Sequence, residues 1–490
     1  MAATIRSKIF SGIIWQGMER LGTQAISLLT SIILARLLAP SEFGLLTIML
    51  VFTSIGEVII DCGLNNALIQ KPQIDDDDCS SVFFANISLS LILYAVLFFM
   101  APWVSRFYGV MSLVPMLRVL GLVMVIRSFS QVQQALLFRR MQFRLNFKIT
   151  WCALIASGTV GCVMAFLGFG VWSLVCAQLT TAMVCNIGLF YFVRFCPRWF
   201  FSWKKFSGLL NFGSKLMLGS LLDAVYNKVF SLFVGKFYSV DSLSFYERGN
   251  HLPFAAINSI TGTIGSVLFP AFSEVQNDRE SLRRIVRSSL RISMFIVTPL
   301  LGLFILEAEP VILILFSEKW REAIPYMQIA AIVYIYWPAH RINLQLISAC
   351  GRSDVLLYLE IFKKVEQILI VFWFYRYGLL WLALSNALFS PMFLAENMWF
   401  CRRLIHYGIW DQYRDILPIF LAAGVSGGIS WLLTGSIANL YLRLLLGGGC
   451  FLVGYILLMW VSRQIPEEIL NLPHTIAEKY RSRAQHEKSA

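Results

Sequence analysis

Charge is scarce in this sequence. Only 14% of its 490 residues are Asp, Glu, Lys or Arg, while 58% are apolar. Soluble domains carry about 25% charged and about 45–50% apolar residues. A chain of this length cannot hide such an excess in a water-soluble core, so the composition points to the bilayer. Catalytic signatures are missing too. There is no HExxH and no paired Cys/His cluster, and the ten cysteines show no CxxC or metal spacing. Residues 208–215 read GLLNFGSK, which imitates a P-loop but lacks the Gly-Lys-Ser/Thr ending. His251 and His340 stand alone and read as packed or pore-lining imidazoles. The first apolar run follows Arg6 and Lys8, contains Glu19 and Arg20, and offers no small-residue cleavage site, so it reads as a span. The connections are too short to fold an ATPase or a catalytic domain. These observations weigh against a metalloenzyme or a protein with a built-in ATP motor, and no enzyme activity or cofactor is expected.

Long apolar runs are what the sequence has instead. Fourteen windows of roughly 20 residues are apolar enough to cross a hydrocarbon core about 30 Å thick, the first starting at Ile13 and the last at Leu440. The runs are continuous, whereas barrel strands alternate over about 10 residues. The sequence therefore predicts an all-α integral membrane protein with 14 transmembrane helices. Lys and Arg are unevenly spread, with about 24 on the even loops and both termini and about eight on the odd loops. Both termini are expected in the cytoplasm. Orientation and anionic lipids account for the net charge of +13, and nucleic acid is not an expected partner. In segment 278–294, Leu282, Ile285, Val286 and Leu290 follow helical spacing with Arg283, Arg284, Arg287 and Arg291 on much of the opposite side. Either an interfacial helix or a basic loop fits this pattern. The acidic run at 75–78 reads as a solvated turn that favours the N-terminus of the third span.

Weak internal similarity recurs at an offset near 200 residues. Residues 12–17 (GIIWQG) parallel 208–213 (GLLNFG), 34–38 parallel 234–238, and 67–69 parallel 267–269. Six spans per unit is an even number, so the repeat is parallel, an arrangement in which transporters place their substrate site between lobes near mid-membrane. The expected organisation is an N-terminal lobe at 1–205, a C-terminal lobe at 206–405, two further helices at 406–462 and a cytoplasmic tail at 463–490.

Several spans carry charges that lipid would penalise by at least about 2.5–3.5 kcal/mol each, so these residues must face a polar interior. Arg20, Arg127, Lys215, Lys228, Arg341 and Lys363 are the candidate substrate-binding cations. Arg20, Gln24, Ser27 and Ser31 form one stripe along the first span, and Asn227 follows Asp223 by about one turn on the seventh. Glu360 and Lys364 are spaced to pair within one helix, which leaves Lys363 as the freer cation. Glu57, Asp61 and Asp223 are candidate sites for a coupling H⁺ or Na⁺, with helix capping or loop anchoring an equal reading for Asp61. Cations outnumber anions, so a lumen lined by these groups attracts an anion.

Some stretches resemble a known family. They are FGLLT at 43–47, DCGLNNALIQ at 61–70, VLFPAF at 267–272, LFSEKW at 315–320 followed by Ile324-Pro325, and ACGRSD at 349–354. As an ordered set they resemble the polysaccharide-export branch of the multidrug/oligosaccharidyl-lipid/polysaccharide superfamily, nearest its colanic-acid-type lipid-linked oligosaccharide flippases. The resemblance implies a two-lobed bundle working by alternating access in the bacterial inner membrane. It also implies movement of an undecaprenyl-pyrophosphate-linked oligosaccharide for exopolysaccharide, capsule or O-antigen synthesis, with a polysaccharide polymerase as a candidate partner. The family's lumen cations vary in position, so the site residues above rest on depth and stripe geometry alone. The competing expectation is a cation-coupled multidrug exporter of the same superfamily, which would favour an acidic, aromatic cavity.

Overall fold

The computed structural model describes residues 2–71 and 73–466. The side chains at 2–17, 20, 21, 204, 205, 211, 212, 215, 216, 219, 222, 223, 226, 227, 263, 265–267 and 353 are outside the description. Every regular element among the described residues is helical. In lipid an apolar segment must satisfy its own N–H and C=O groups, and continuous apolar runs do so as helices. Contacts divide the chain into two compact units, residues 1–244 and 245–490.

The first unit comprises α1 (Ala2–Leu37), α2 (Pro40–Asp61), α3 (Leu64–Gln70), α4 (Asp76–Tyr108), α5 (Leu113–Ser128), α6 (Gln131–Arg139), α7 (Phe143–Phe166), α8 (Val171–Val193) and α9 (Trp203–Phe237). Helix α10 (Val240–Glu274) begins here and continues into the second unit. The second unit then holds α11 (Arg279–Leu306), α12 (Ala308–Phe316), α13 (Ile324–Ile335), α14 (Trp337–Ala349), α15 (Ser353–Phe374), α16 (Leu379–Ile405), α17 (Ile409–Thr434) and α18 (Leu440–Val461). Among the described residues, eight helical segments are long and apolar enough to cross a membrane, or nine if α5 and α6, bent by 41°, form one span.

Local chemistry sets the helix ends. Asp75 caps α4: its Oδ1 accepts from the Asp78 N–H at 2.8 Å, and Lys71 Nζ donates to Asp78 Oδ2 at 2.6 Å. The acidic run is thus a helix N-terminus, where negative charge is favourable. Helix α2 stops at Cys62 and Gly63, both left-handed at φ 49° and 68°. A Cβ on Gly63 would lie 2.3 Å from the Gly213 carbonyl oxygen, and one on Gly213 would lie 2.5 Å from that of Cys62. Only glycine at both positions lets α9 cross the α2–α3 break backbone to backbone. Helix α9, placed by the sequence at the start of the second lobe, packs in the structure on α2, α3 and α4. The P-loop-like stretch at 208–215 lies inside it as continuous helix.

In the second unit the basic segment 279–294 is neither a loop nor a separate interfacial helix. It is the first half of α11, capped by Asp278 and continuous with a span. Its apolar stripe faces protein: Leu282, Val286 and Leu290 are buried in a core with Ile342, Leu346, Leu394 and Met398. The amphipathic pattern is therefore satisfied by neighbouring helices instead of headgroups. Helices α17 and α18 share that core through Ile416, Ile419, Tyr455 and Met459. Small residues bring them close, with Ser426 Oγ donating to the Phe451 carbonyl at 2.6 Å and Ser430 Oγ to that of Gly447 at 2.8 Å. A reciprocal amide pair, Asn343 with Gln412 at 2.9 and 3.0 Å, ties α14 to α17 in the buried interior.

Candidate functional site

Helices α2, α5, α8 and α9 of the first unit surround a cavity of about 190 Å³, lined by Leu50, Thr53, Ser54, Glu57, Leu120, Val123, Arg127, Gln178 and Lys228. One water needs roughly 10–15 Å³, so the cavity has room for several, beside the polar groups Thr53, Ser54, Glu57, Arg127, Gln178 and Lys228 among its lining. Gly56 helps to shape it. A Cβ there would meet Met124 Sδ at 2.3 Å, so its absence lets α5 come close to α2. Arg127, one turn beyond Met124, then reaches Glu57 with Nη1 at 3.0 Å from Oε1 and 2.8 Å from Oε2. Side-chain exposures of 40% for Arg127 and 26% for Glu57 leave the pair partly open. Lys228 projects from α9 into the same space with no ion-pair partner among the described residues. Two cations against one carboxylate leave a formal charge of +1 on the described lining.

Three predicted residues, Glu57, Arg127 and Lys228, are therefore brought together. The side chains of Arg20, Lys215, Asp223 and Asn227 lie outside the described residues. Gln24, Ser27 and Ser31 sit on α1, which packs along α7, and none of them lines this cavity. Glu19 accepts a hydrogen bond from Asn146 Nδ2 of α7 at 2.6 Å. Asp61 accepts from the backbone N–H groups of Gly63 and Asn65, which anchors the turn into α3. Thr53, Ser54 and Gln178 escaped the sequence reading, because uncharged polar residues in a span carry no signal of their own.

In the second unit Arg341 is exposed on α14. Lys363 departs from expectation: the freer cation of α15 is engaged, with Nζ 2.5 Å from Asn397 Oδ1 of α16 and Glu360, Glu366 and Glu396 in electrostatic reach. Burial among these groups makes Lys363 part of a local network. Another cavity, of about 460 Å³, opens between α11, α13, α17 and α18. Its lining is largely apolar and includes Ile305, Phe420, Gly424, Gly428 and Phe451.

A profile of polysaccharide biosynthesis proteins matches residues 33–325, more than half of the chain. The succinoglycan biosynthesis transport protein of Rhizobium meliloti (strain 1021) is 26% identical over 334 residues, covering 68% of this chain and 67% of that protein. A lipopolysaccharide biosynthesis protein of Escherichia coli (strain K12) is 25% identical over 363 residues, 74% of each chain. In fold, the chain resembles the lipid II flippase MurJ in an inward closed conformation, with a TM-score of 0.71 at 13% identity over 94% of this chain and 100% of the other. An inward-facing multidrug transporter of the MOP superfamily gives a TM-score of 0.61 at 17% identity, over 79% of this chain and 98% of that one. These last two likenesses concern the fold alone. With a match that runs through residues of both units, the chain belongs to the polysaccharide biosynthesis protein family, and its helical membrane architecture resembles those of the two transporters just named.

Proposed function

We propose that this protein is a flippase that carries an undecaprenyl-pyrophosphate-linked oligosaccharide across the bacterial inner membrane for exopolysaccharide, capsule or O-antigen synthesis. The observation that carries this reading is the cavity in which Arg127 and Lys228 outweigh Glu57. Guanidinium and ammonium donors in a membrane interior match the oxygens of a pyrophosphate. The apolar cavity of the second unit suits an isoprenoid chain, which gains about 25 cal/mol per Å² of apolar surface removed from water. Fourteen spans, cytoplasmic termini and alternating access complete the proposal, together with coupling to H⁺ or Na⁺. A drug exporter for organic cations would gain from an excess of carboxylates, and the described lining has the opposite balance.

The test is export of polymer by cells carrying Lys228→Ala or Arg127→Ala. Both variants should insert in the membrane at normal levels and export little polymer. Normal export by both would remove the cavity from the mechanism.

A further inference from the structure

A second polar cluster lies in the second unit, between α14, α15 and α16. Asn397, fully buried on α16, joins two neighbours: its Oδ1 accepts from Lys363 Nζ at 2.5 Å, and its Nδ2 meets His340 Nδ1 at 3.0 Å. One residue before Asn397, the Glu396 carboxylate lies against that of Glu366 on α15, within hydrogen-bonding range. Both oxygens of Glu396 and Oε2 of Glu366 are shielded from solvent, and none of the three has a hydrogen-bond donor among the described residues. The charged groups acting on Glu396 are Glu366 and Lys363, and His340 faces Lys363 from α14. Helix α13, which also packs on α16, contributes no charged residue.

These facts conflict if both carboxylates are ionised. Two anions in contact, three of their four oxygens shielded from solvent and without a donor among the described residues, face one ammonium already committed to an amide. Like charges this close cannot both ionise in a low-dielectric site. A single proton resolves the conflict: one carboxyl becomes the donor, the other accepts, and the remaining negative charge is balanced by Lys363. The same logic governs paired carboxylates elsewhere in proteins. We propose that Glu366 and Glu396 share one exchangeable proton inside the membrane, and that its departure sets the two carboxylates against each other and loosens α15 from α16 during the transport cycle. The step is one protonation, with the proton drawn from and returned to water and no other co-reactant. The coupling part rests on the transport reading above, whereas the shared proton does not.

Infrared spectroscopy of the full chain in lipid vesicles tests the shared proton. At neutral pH the wild type should show the C=O stretch of a protonated carboxylic acid that shifts in D₂O and disappears on alkalinisation. Glu366→Gln and Glu396→Gln should each abolish it, because the remaining carboxylate then pairs with Lys363 as an anion. Glu360→Gln, at an exposed position of α15, should retain it. A wild type without such a titrating band, or a band that survives in both variants, overturns the shared proton. Coupling is tested in vesicles loaded with a pH-sensitive dye, with undecaprenyl pyrophosphate as the probe lipid. Lipid movement should bring proton flux in the wild type, and Glu396→Gln should lose the flux while still binding the lipid. Lipid movement without proton flux in the wild type overturns the coupling. Absence of lipid movement in the wild type counts against the transport function, and the infrared band still decides the proton.

Discussion

Neutralising Lys228 is the sharpest perturbation of the first-unit cavity. Glu57, Arg127 and Lys228 give it a formal charge of +1, and Lys228→Gln brings this to zero. At roughly 5 Å and an effective dielectric constant of about 20, one unit of charge acts on one phosphate charge with about 3 kcal/mol. The site is only partly buried, with the Arg127 side chain 40% and that of Glu57 26% exposed. Screening at such exposure reduces the effect to about 1.4 kcal/mol, a tenfold change in affinity. Lys228→Gln should therefore weaken binding of undecaprenyl pyrophosphate about tenfold, and Glu57→Gln should strengthen it by a similar factor. The double variant should fall near the wild type, because the two changes cancel in charge. Quenching of intrinsic tryptophan fluorescence in detergent, at low and high salt, measures all four affinities, and the differences should shrink as salt rises. Equal losses in both single variants would show that the residues act by holding the helices together, and the electrostatic reasoning would be wrong.

Other positions give independent tests. Gly63→Ala places a Cβ 2.3 Å from the Gly213 carbonyl oxygen at a φ of 68°, so overpacking and left-handed strain should together lower stability by about 2–4 kcal/mol, read as a fall in the thermal unfolding midpoint; an unchanged midpoint would refute the close crossing of α9. Tyr407→Phe removes the hydroxyl that donates to Asp415 Oδ2 at 2.7 Å beside the bidentate Arg287 contact at 2.8 Å, which should cost about 1.5 kcal/mol with no loss of lipid binding. Gly428→Leu adds a side chain where a Cβ meets open space in the apolar cavity; helix propensity should rise by about 0.5–1 kcal/mol, while binding of the full-length polyprenyl lipid falls relative to a short-chain analogue. The carboxyl of Asp278 is held below the usual carboxylate range by hydrogen bonds from the Ser281 hydroxyl and amide, then by the Glu280 amide. Because its native value is depressed, the α11 cap should contribute in full above the ordinary carboxylate range and be lost as pH falls through the native value, seen as faster amide exchange at Glu280 and Ser281.

The long spans were legible because lipid leaves an apolar run no option but a helix. What the runs could not convey was their interruption. The break at Cys62 and Gly63 depends on a glycine of α9 some 150 residues away, and nothing in the apolar run announces the 41° bend between α5 and α6. The stripe Leu282, Val286 and Leu290 reads the same whether its partner is a headgroup layer or a protein core, and only the buried neighbours Ile342 and Met398 decide. In the site, Glu57 and Arg127 were recognisable as costly charges within spans, but their pairing joins residues 70 apart. Lys363 was legible as a cation but its partners on α16 were not, because Glu396 and Asn397 sit in an apolar helix with nothing local to mark them as its neighbours.

The most direct measurement is leaflet-to-leaflet movement of an undecaprenyl-pyrophosphate-linked sugar in vesicles that contain the purified protein. The wild type should move the lipid well above the rate in protein-free vesicles, and Lys228→Ala should slow that movement about tenfold at subsaturating lipid while staying folded. Wild-type vesicles indistinguishable from protein-free ones, or a Lys228→Ala variant as fast as the wild type, would contradict the proposal that cationic groups in this cavity carry the pyrophosphate across.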